Sequence, residues 1–151
     1  MELFDNLPVA ALIAEKYFAV HGGISPSMGL ISSLDSAFDR IKEVPFEGLL
    51  CDMLWSDPVN DEDVDLVQEF THNNDRECSF LYGRVATKRL LEKNKLTSIL
   101  RGHQVKVEGY KMHMWGDKSV KTLSFPSVVT IFSAPNYCGT YDNKGAYFIL
   151  N

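Results

Sequence analysis

Residues 127–132 read Ser-Val-Val-Thr-Ile-Phe, set between Pro126 and the turn-forming Ser133-Ala134-Pro135. A run this apolar and β-branched belongs in a strand covered on both faces, at the centre of a sheet. The flanking sequence supplies the rest of an α/β pattern. Residues 17–20, 97–100, 109–114 and 146–150 are further β-type runs, while residues 7–14, 33–41 and 85–95 have helical character. The last of these carries Val85, Leu90 and Leu91 on one stripe with Lys and Glu elsewhere, the pattern of a surface helix. Residues 109–114 alternate, with Tyr110, Met112 and Met114 on one face and Lys111 and His113 on the other. That alternation predicts an edge or half-exposed strand, with His113 on its solvated side. Strands interleaved with helices predict an α/β fold.

The chain has 151 residues, 45% of them hydrophobic, which is one domain's length with enough apolar material for a core. Its net charge of -5 lacks the clustered Lys and Arg of a nucleic-acid surface, and the richest basic stretch, residues 88–95, is broken by Leu90, Leu91 and Glu92. No nucleic-acid partner is expected. The acidic patch of Asp61, Glu62, Asp63 and Asp65 reads as a helix N-terminus. Cys51, Cys78 and Cys138 are far apart and form no Cys-x-x-Cys pair, which fits a reducing compartment. The opening residues carry acids before a short, Pro-interrupted apolar run, and no window has the apolar length of a membrane span. Together these predict a soluble protein of the cytoplasm or nucleus, without a membrane partner.

Two histidines stand in equivalent places. His21 follows the run 17–20 and precedes Gly22-Gly23; His103 follows the run 97–100 and Gly102. Strand ends line the ligand crevice of an open α/β sheet, and adjacent glycines let backbone or ligand approach closely. Imidazoles so placed suit a shared metal of the zinc, iron or manganese kind, or are two loop histidines with ordinary hydrogen bonds. Arg76, in the polar loop 72–77, is either a phosphate clamp or a solvated cation. The loop 133–139 brings Asn136, Tyr137 and Cys138 to the end of the buried strand, as crevice groups or as a turn with a packed tyrosine. Structural roles are expected for His72, Trp55 and Trp115, and Cys138 has no neighbouring cation to activate it as a nucleophile.

The segments HGGISP, LWSDP, FTHNNDREC, SILRGHQ and IFSAPNYCGTYDN stand in the order found in the phosphoprotein phosphatase family, which the chain resembles from FDNLPVAAL to GAYFIL. KEVPFEGLLCDMLWSDP, FTHNN and the FPS before VVTIFSAPNY are most similar to the calcineurin type, whereas CGTYDN is closer to the type 1 and related phosphatases. The resemblance implies an α/β fold that is part of the calcineurin-like metallophosphoesterase two-sheet sandwich flanked by helices, with residues 1–151 as the C-terminal half of the catalytic domain. It implies hydrolysis of phosphoserine and phosphothreonine by a water activated by two metal ions (Mn, Fe or Zn), without a covalent enzyme intermediate. By the same resemblance His21 and His103 ligate one of the two metals, Arg76 holds two phosphate oxygens, Tyr137 sits over the phosphate and Asp57 lies on the substrate side of the cleft. Cys138 matches a position that reacts with microcystin in some members.

The family motifs Asp-x-His, Gly-Asp-x-x-Asp-Arg-Gly and Gly-Asn-His-Glu do not occur in the chain. They carry the other metal ligands, a second phosphate-binding Arg and the general-acid His. A catalytic domain cut to its second half, inactive alone, is therefore one expectation, and a non-enzymatic binding protein is the other. Phosphoprotein substrates are implied for the complete protein. A calcineurin B-like subunit and calmodulin are implied as its regulators, through segments not present here.

Overall fold

Leu12, Phe18, Ile99 and Val128 lie side by side on four neighbouring strands, and the last three are fully buried. Burying each such side chain contributes about 1.5–3 kcal/mol, so this transverse row is a large part of what holds the sheet. The computed structural model describes residues 6–37, 43–115 and 125–150. Its main sheet has five strands: β1 (Ala10–Ile13), β2 (Tyr17–Val20), β6 (Ser98–Arg101), β7 (Tyr110–His113) and β8 (Val128–Ile131), in the order β1-β2-β6-β8-β7. β2, β6 and β8 are mutually parallel, and the outer strands β1 and β7 run antiparallel to their neighbours. All four residues of β6 are buried, as a central strand requires.

A smaller sheet has the order β3-β5-β4, from β3 (Asp57–Pro58), β4 (Phe70–His72) and β5 (Phe80–Tyr82). Among the described residues, two α-helices accompany the sheets: α1 (Leu49–Trp55), which leads directly into β3, and α2 (Arg84–Asn94), which ends on Lys95 in the left-handed conformation. Ala86, Leu90 and Leu91 of α2 enter the same apolar core as Phe18, Met53, Tyr82 and Val128. The structure is thus mixed α/β with two sheets.

Several local expectations are corrected. The alanine-rich segment 7–14 forms β1, not a helix. Its few residues follow Pro8, too short for a stable isolated helix, and the partner strand β2 supplies ladder hydrogen bonds instead. The hairpin turn places Ala14 and Glu15 at φ of 50° and 55°. Residues 146–150 are not a strand. Ala146 donates to Phe132 O at 3.1 Å, but Tyr147 and Ile149 face solvent. The helix expected over 33–41 is a short 3₁₀ helix at Ile31–Ser36, and residues 38–42 lie outside the described ones. Residues 61–66 are successive turns, so the acidic patch heads no helix.

The two faces of β7 are reversed from the expectation. Tyr110 and Met112 face solvent, while His113 is buried between Thr130, whose Oγ1 is 3.1 Å from its Nε2, and the ring of Trp115. Burial drives the His113 imidazole down to about 3, helped by Lys111, Lys106 and Arg101. The unfolded chain titrates near 6.5, so below that pH it binds a proton that the folded chain refuses. Stability is therefore expected to fall by up to about 1.4 kcal/mol per pH unit as pH drops from 6.5 towards 3, with no contribution from this group above 6.5. Urea unfolding of the wild type against His113→Gln checks this; the Gln variant should lose that part of the acid slope.

Candidate active site

β2 and β6 are adjacent and parallel, with Val20 opposite Arg101, so the residues leaving their carboxyl ends emerge together. Gly102 N donates to His21 O at 3.0 Å, which locks the two exits. His103 takes the left-handed conformation, φ 67°. His21 Nε2 and His103 Nδ1 come to 3.1 Å, with ring centroids 4.8 Å apart. Among the described residues, the one hydrogen bond that either ring makes is with the other, and His103 Nε2 is buried without a partner.

The glycines after His21 let neighbouring groups approach the loop closely. Gly22 N donates to Met53 O at 2.8 Å, and a Cβ there would lie 2.6 Å from the Leu54 carbonyl carbon. A side chain at Gly23 would strike the Tyr82 ring. The end of α1 is thereby pressed against the His21 loop, and α1 then delivers Trp55 and Asp57. Trp55 packs edge-on against His103 at 5.3 Å, and the Arg76 guanidinium carbon lies 6.0 Å from the Trp55 ring centre.

Asp57 is the hub of the cluster and is 3% exposed. Its Oδ1 accepts from Arg101 Nη2 at 2.8 Å, while its Oδ2 accepts from Arg76 Nε at 3.0 Å and Asn73 Nδ2 at 3.1 Å. Burial works against its ionisation, but Arg101 and Arg76 outweigh it and hold the carboxyl below the ordinary range. Asp57 is therefore a counterion that fixes arginines. Arg76 keeps 28% of its side chain exposed, and among the described residues its two Nη groups have no acceptor.

Arg101 was not singled out from the sequence. Its side chain is fully buried and donates from Nε to Gly22 O at 2.6 Å, and from Nη1 to Gln104 Oε1 at 3.1 Å. The available signal was a charged residue closing an apolar strand directly before Gly-His. Asn73 was equally unmarked, as one amide in a polar loop.

The loop after β8 leaves the same end of the sheet, since β8 is parallel to β6. Asn143 shapes it: its Oδ1 accepts from Tyr137 N and its Nδ2 donates to Ala134 O, both at 2.9 Å. Tyr137 is 44% exposed, and its ring contacts among the described residues are Phe132 and Tyr141. The structure brings His21, His103, Arg76 and Asp57 into one cluster and sets Tyr137 on a neighbouring loop. Cys138 is exposed beside it.

The donor set suits a metal. Burial, then Arg101 and Arg76, lowers the His21 imidazole; burial drives His103 to about 4, against the pull of Asp57. Both rings are thus neutral near pH 7, the state in which imidazole ligates. Two nitrogens bound to one ion at about 2.0–2.1 Å lie about 2.9–3.4 Å apart, which brackets the 3.1 Å seen here. Among the described residues, no group of three or more His, Cys, Asp and Glu side chains could hold an ion. The pair therefore offers two nitrogen donors spaced as one ion would need.

Residues 1–107 match the family model for calcineurin-like phosphoesterases. Two curated relatives from Saccharomyces cerevisiae are serine/threonine-protein phosphatase 2B catalytic subunits. Subunit A1 is 42% identical over 95% of this chain and subunit A2 38% over 96%, but these alignments cover only 26% and 27% of the relatives. A solved structure of a protein serine/threonine phosphatase from the same yeast, described as similar to human phosphatase PP5, superposes with a TM-score of 0.72 at 31% identity. It covers 94% of this chain and 39% of its own. The chain thus spans about a quarter of the curated relatives it matches. With the fold, the paired imidazoles and these likenesses in agreement, the chain belongs to the calcineurin-like phosphoesterase family.

Proposed function

We propose that residues 1–151 are the later half of the catalytic domain of a calcineurin-type protein serine/threonine phosphatase, hydrolysing phosphoserine and phosphothreonine once joined to the segment bearing the remaining ligands. The observation that carries this reading is the approach of His21 Nε2 to His103 Nδ1 at 3.1 Å, with Arg76 held beside them by Asp57. Two metal ions, Mn, Fe or Zn, supply a water that is nucleophilic at neutral pH and offset charge on the phosphoryl oxygens. His21 and His103 would hold one of them, as neutral imidazoles whose one hydrogen bond among the described residues is to each other.

Arg76 binds two phosphate oxygens through its free Nη pair, and its fixed Nε–Asp57 bond orients that fork before substrate arrives. Trp55 backs both Arg76 and His103, so the distance between clamp and metal ligand is set by packing. Tyr137 closes over the phosphate from the loop after β8. In the whole protein the implied regulators are a calcineurin B-like subunit and calmodulin. The second reading, a binding protein without activity, is favoured by the absence of a third ligand among the described residues.

Hydrolysis of a phosphopeptide with added Mn²⁺ separates the two. The chain alone is expected to be inactive, and the chain joined to a segment carrying Asp-x-His, Gly-Asp-x-x-Asp-Arg-Gly and Gly-Asn-His-Glu is expected to be active. Inactivity of both would favour the binding protein; activity of the chain alone would overturn the assignment of ligands.

A further inference from the structure

A buried carboxylate ordinarily draws a neighbouring guanidinium side-on into a two-point pair. Asp57 does not hold Arg76 in that way. Arg76 reaches it through Nε alone, on Oδ2, because Oδ1 is occupied by Arg101 Nη2 at 2.8 Å. We propose that Arg101 is a positioning residue for phosphate capture: by occupying Oδ1 of Asp57, it confines Arg76 to a one-point contact and leaves both Arg76 Nη groups free for an oxyanion. This rests on the reading of Arg76 as the phosphate clamp.

Arg101 is well fixed for the task. Its side chain is fully buried, and its three nitrogens donate to Gly22 O, Gln104 Oε1, Ser56 O and Asp57. Two of these acceptors directly follow the metal-site histidines, Gly22 after His21 and Gln104 after His103. One guanidinium therefore ties both imidazole loops to the aspartate that aims Arg76. Asn73 Nδ2 shares Oδ2 with Arg76 at 3.1 Å, so neither carboxylate oxygen is left open. Arg76 is the more exposed of the two arginines, and among the described residues the ring beside it is that of Trp55. Without Arg101, Oδ1 becomes a buried acceptor with no partner, and Arg76 is the cation positioned to rotate onto it. Its fork would then be spent on Asp57.

The test titrates the 151-residue chain with inorganic phosphate, followed by ³¹P NMR and by the ¹⁵N signals of arginine side chains. Phosphate is expected to shift Arg76 and to leave the Arg101 Nε–H signal in place. Arg76→Ala sets the scale of a lost clamp. Arg101→Gln is expected to weaken phosphate binding about tenfold. In that variant the Arg76 Nη protons should become protected from exchange before any phosphate is added, a signature that a merely loosened fold would not give. Arg101→Lys, which keeps a cation beside Oδ1, should recover affinity to within about threefold.

A folded Arg101→Gln that binds as tightly as wild type, while Arg76→Ala loses affinity, overturns the inference and leaves the clamp intact. Arg101→Lys as weak as Arg101→Gln also overturns it. Wild-type affinity in Arg76→Ala removes the clamp reading itself. If Arg101→Gln does not fold, the wild-type titration decides: a phosphate-induced shift of the Arg101 Nε–H signal would make Arg101 a ligand and refute a positioning role.

Discussion

Asp57→Ala should lower the stability of the chain by about 3–5 kcal/mol, the cost of leaving a buried cation without its partner. Arg101 has no exposed side-chain surface, so water cannot replace the lost carboxylate. Arg76, 28% exposed, can turn outward and be solvated, and so adds little to the loss. Asp57→Asn should cost less, because the amide oxygen still accepts a hydrogen bond from Arg101 while its charge is unmatched. Urea denaturation of the three proteins checks the order wild type, Asn, Ala. Equal stability of Ala and wild type would mean that the buried pair is solvated or paired in some other way.

Arg76→Ala is expected to act oppositely, with a small effect on stability and a large one on turnover. Asp57 keeps Arg101 and Asn73 after Arg76 is removed, so the cost in stability is about 1 kcal/mol or less. In the joined domain, phosphopeptide hydrolysis should fall about 10²–10³-fold in kcat/KM, the usual loss when one preorganised donor to a developing charge is removed. The paired measurements separate clamp from scaffold. A variant that loses both stability and activity in proportion would assign Arg76 to the scaffold.

The sheet was legible where a segment's composition admitted one solution. Residues 127–132 had to be central, and β8 does lie between β6 and β7. It was illegible where long-range pairing overruled local preference. Nothing in residues 7–14 announces that β2 will pair with them, and nothing in the alternation of residues 110–113 says which face is inward. His113 was assigned to solvent because a histidine opposite methionines is ordinarily the polar side. The core instead takes it, satisfied at Nε2 by Thr130.

The candidate site shows the same division. His21 and His103 stood out because each follows a β-type run beside glycine, and parallel pairing of β2 with β6 brings them together. Arg101 did not stand out, because a buried arginine is explained only by its counterion, and Asp57 lies 44 residues away. Gly22 and Gly23 were legible as places of close approach, because adjacent glycines admit neighbouring backbone. Their missing side chains make room for the Leu54 backbone and the Tyr82 ring.

The shared metal ligation of His21 and His103 is most directly tested by titrating the chain with Zn²⁺ while following the ring nitrogens of all four histidines by ¹⁵N NMR. The account predicts that His21 Nε2 and His103 Nδ1 shift together in one step, with His72 and His113 unmoved. It predicts further that His21→Gln or His103→Gln each abolishes the shift of the remaining partner. Independent titration of the two rings, or wild-type binding in either variant, would contradict it.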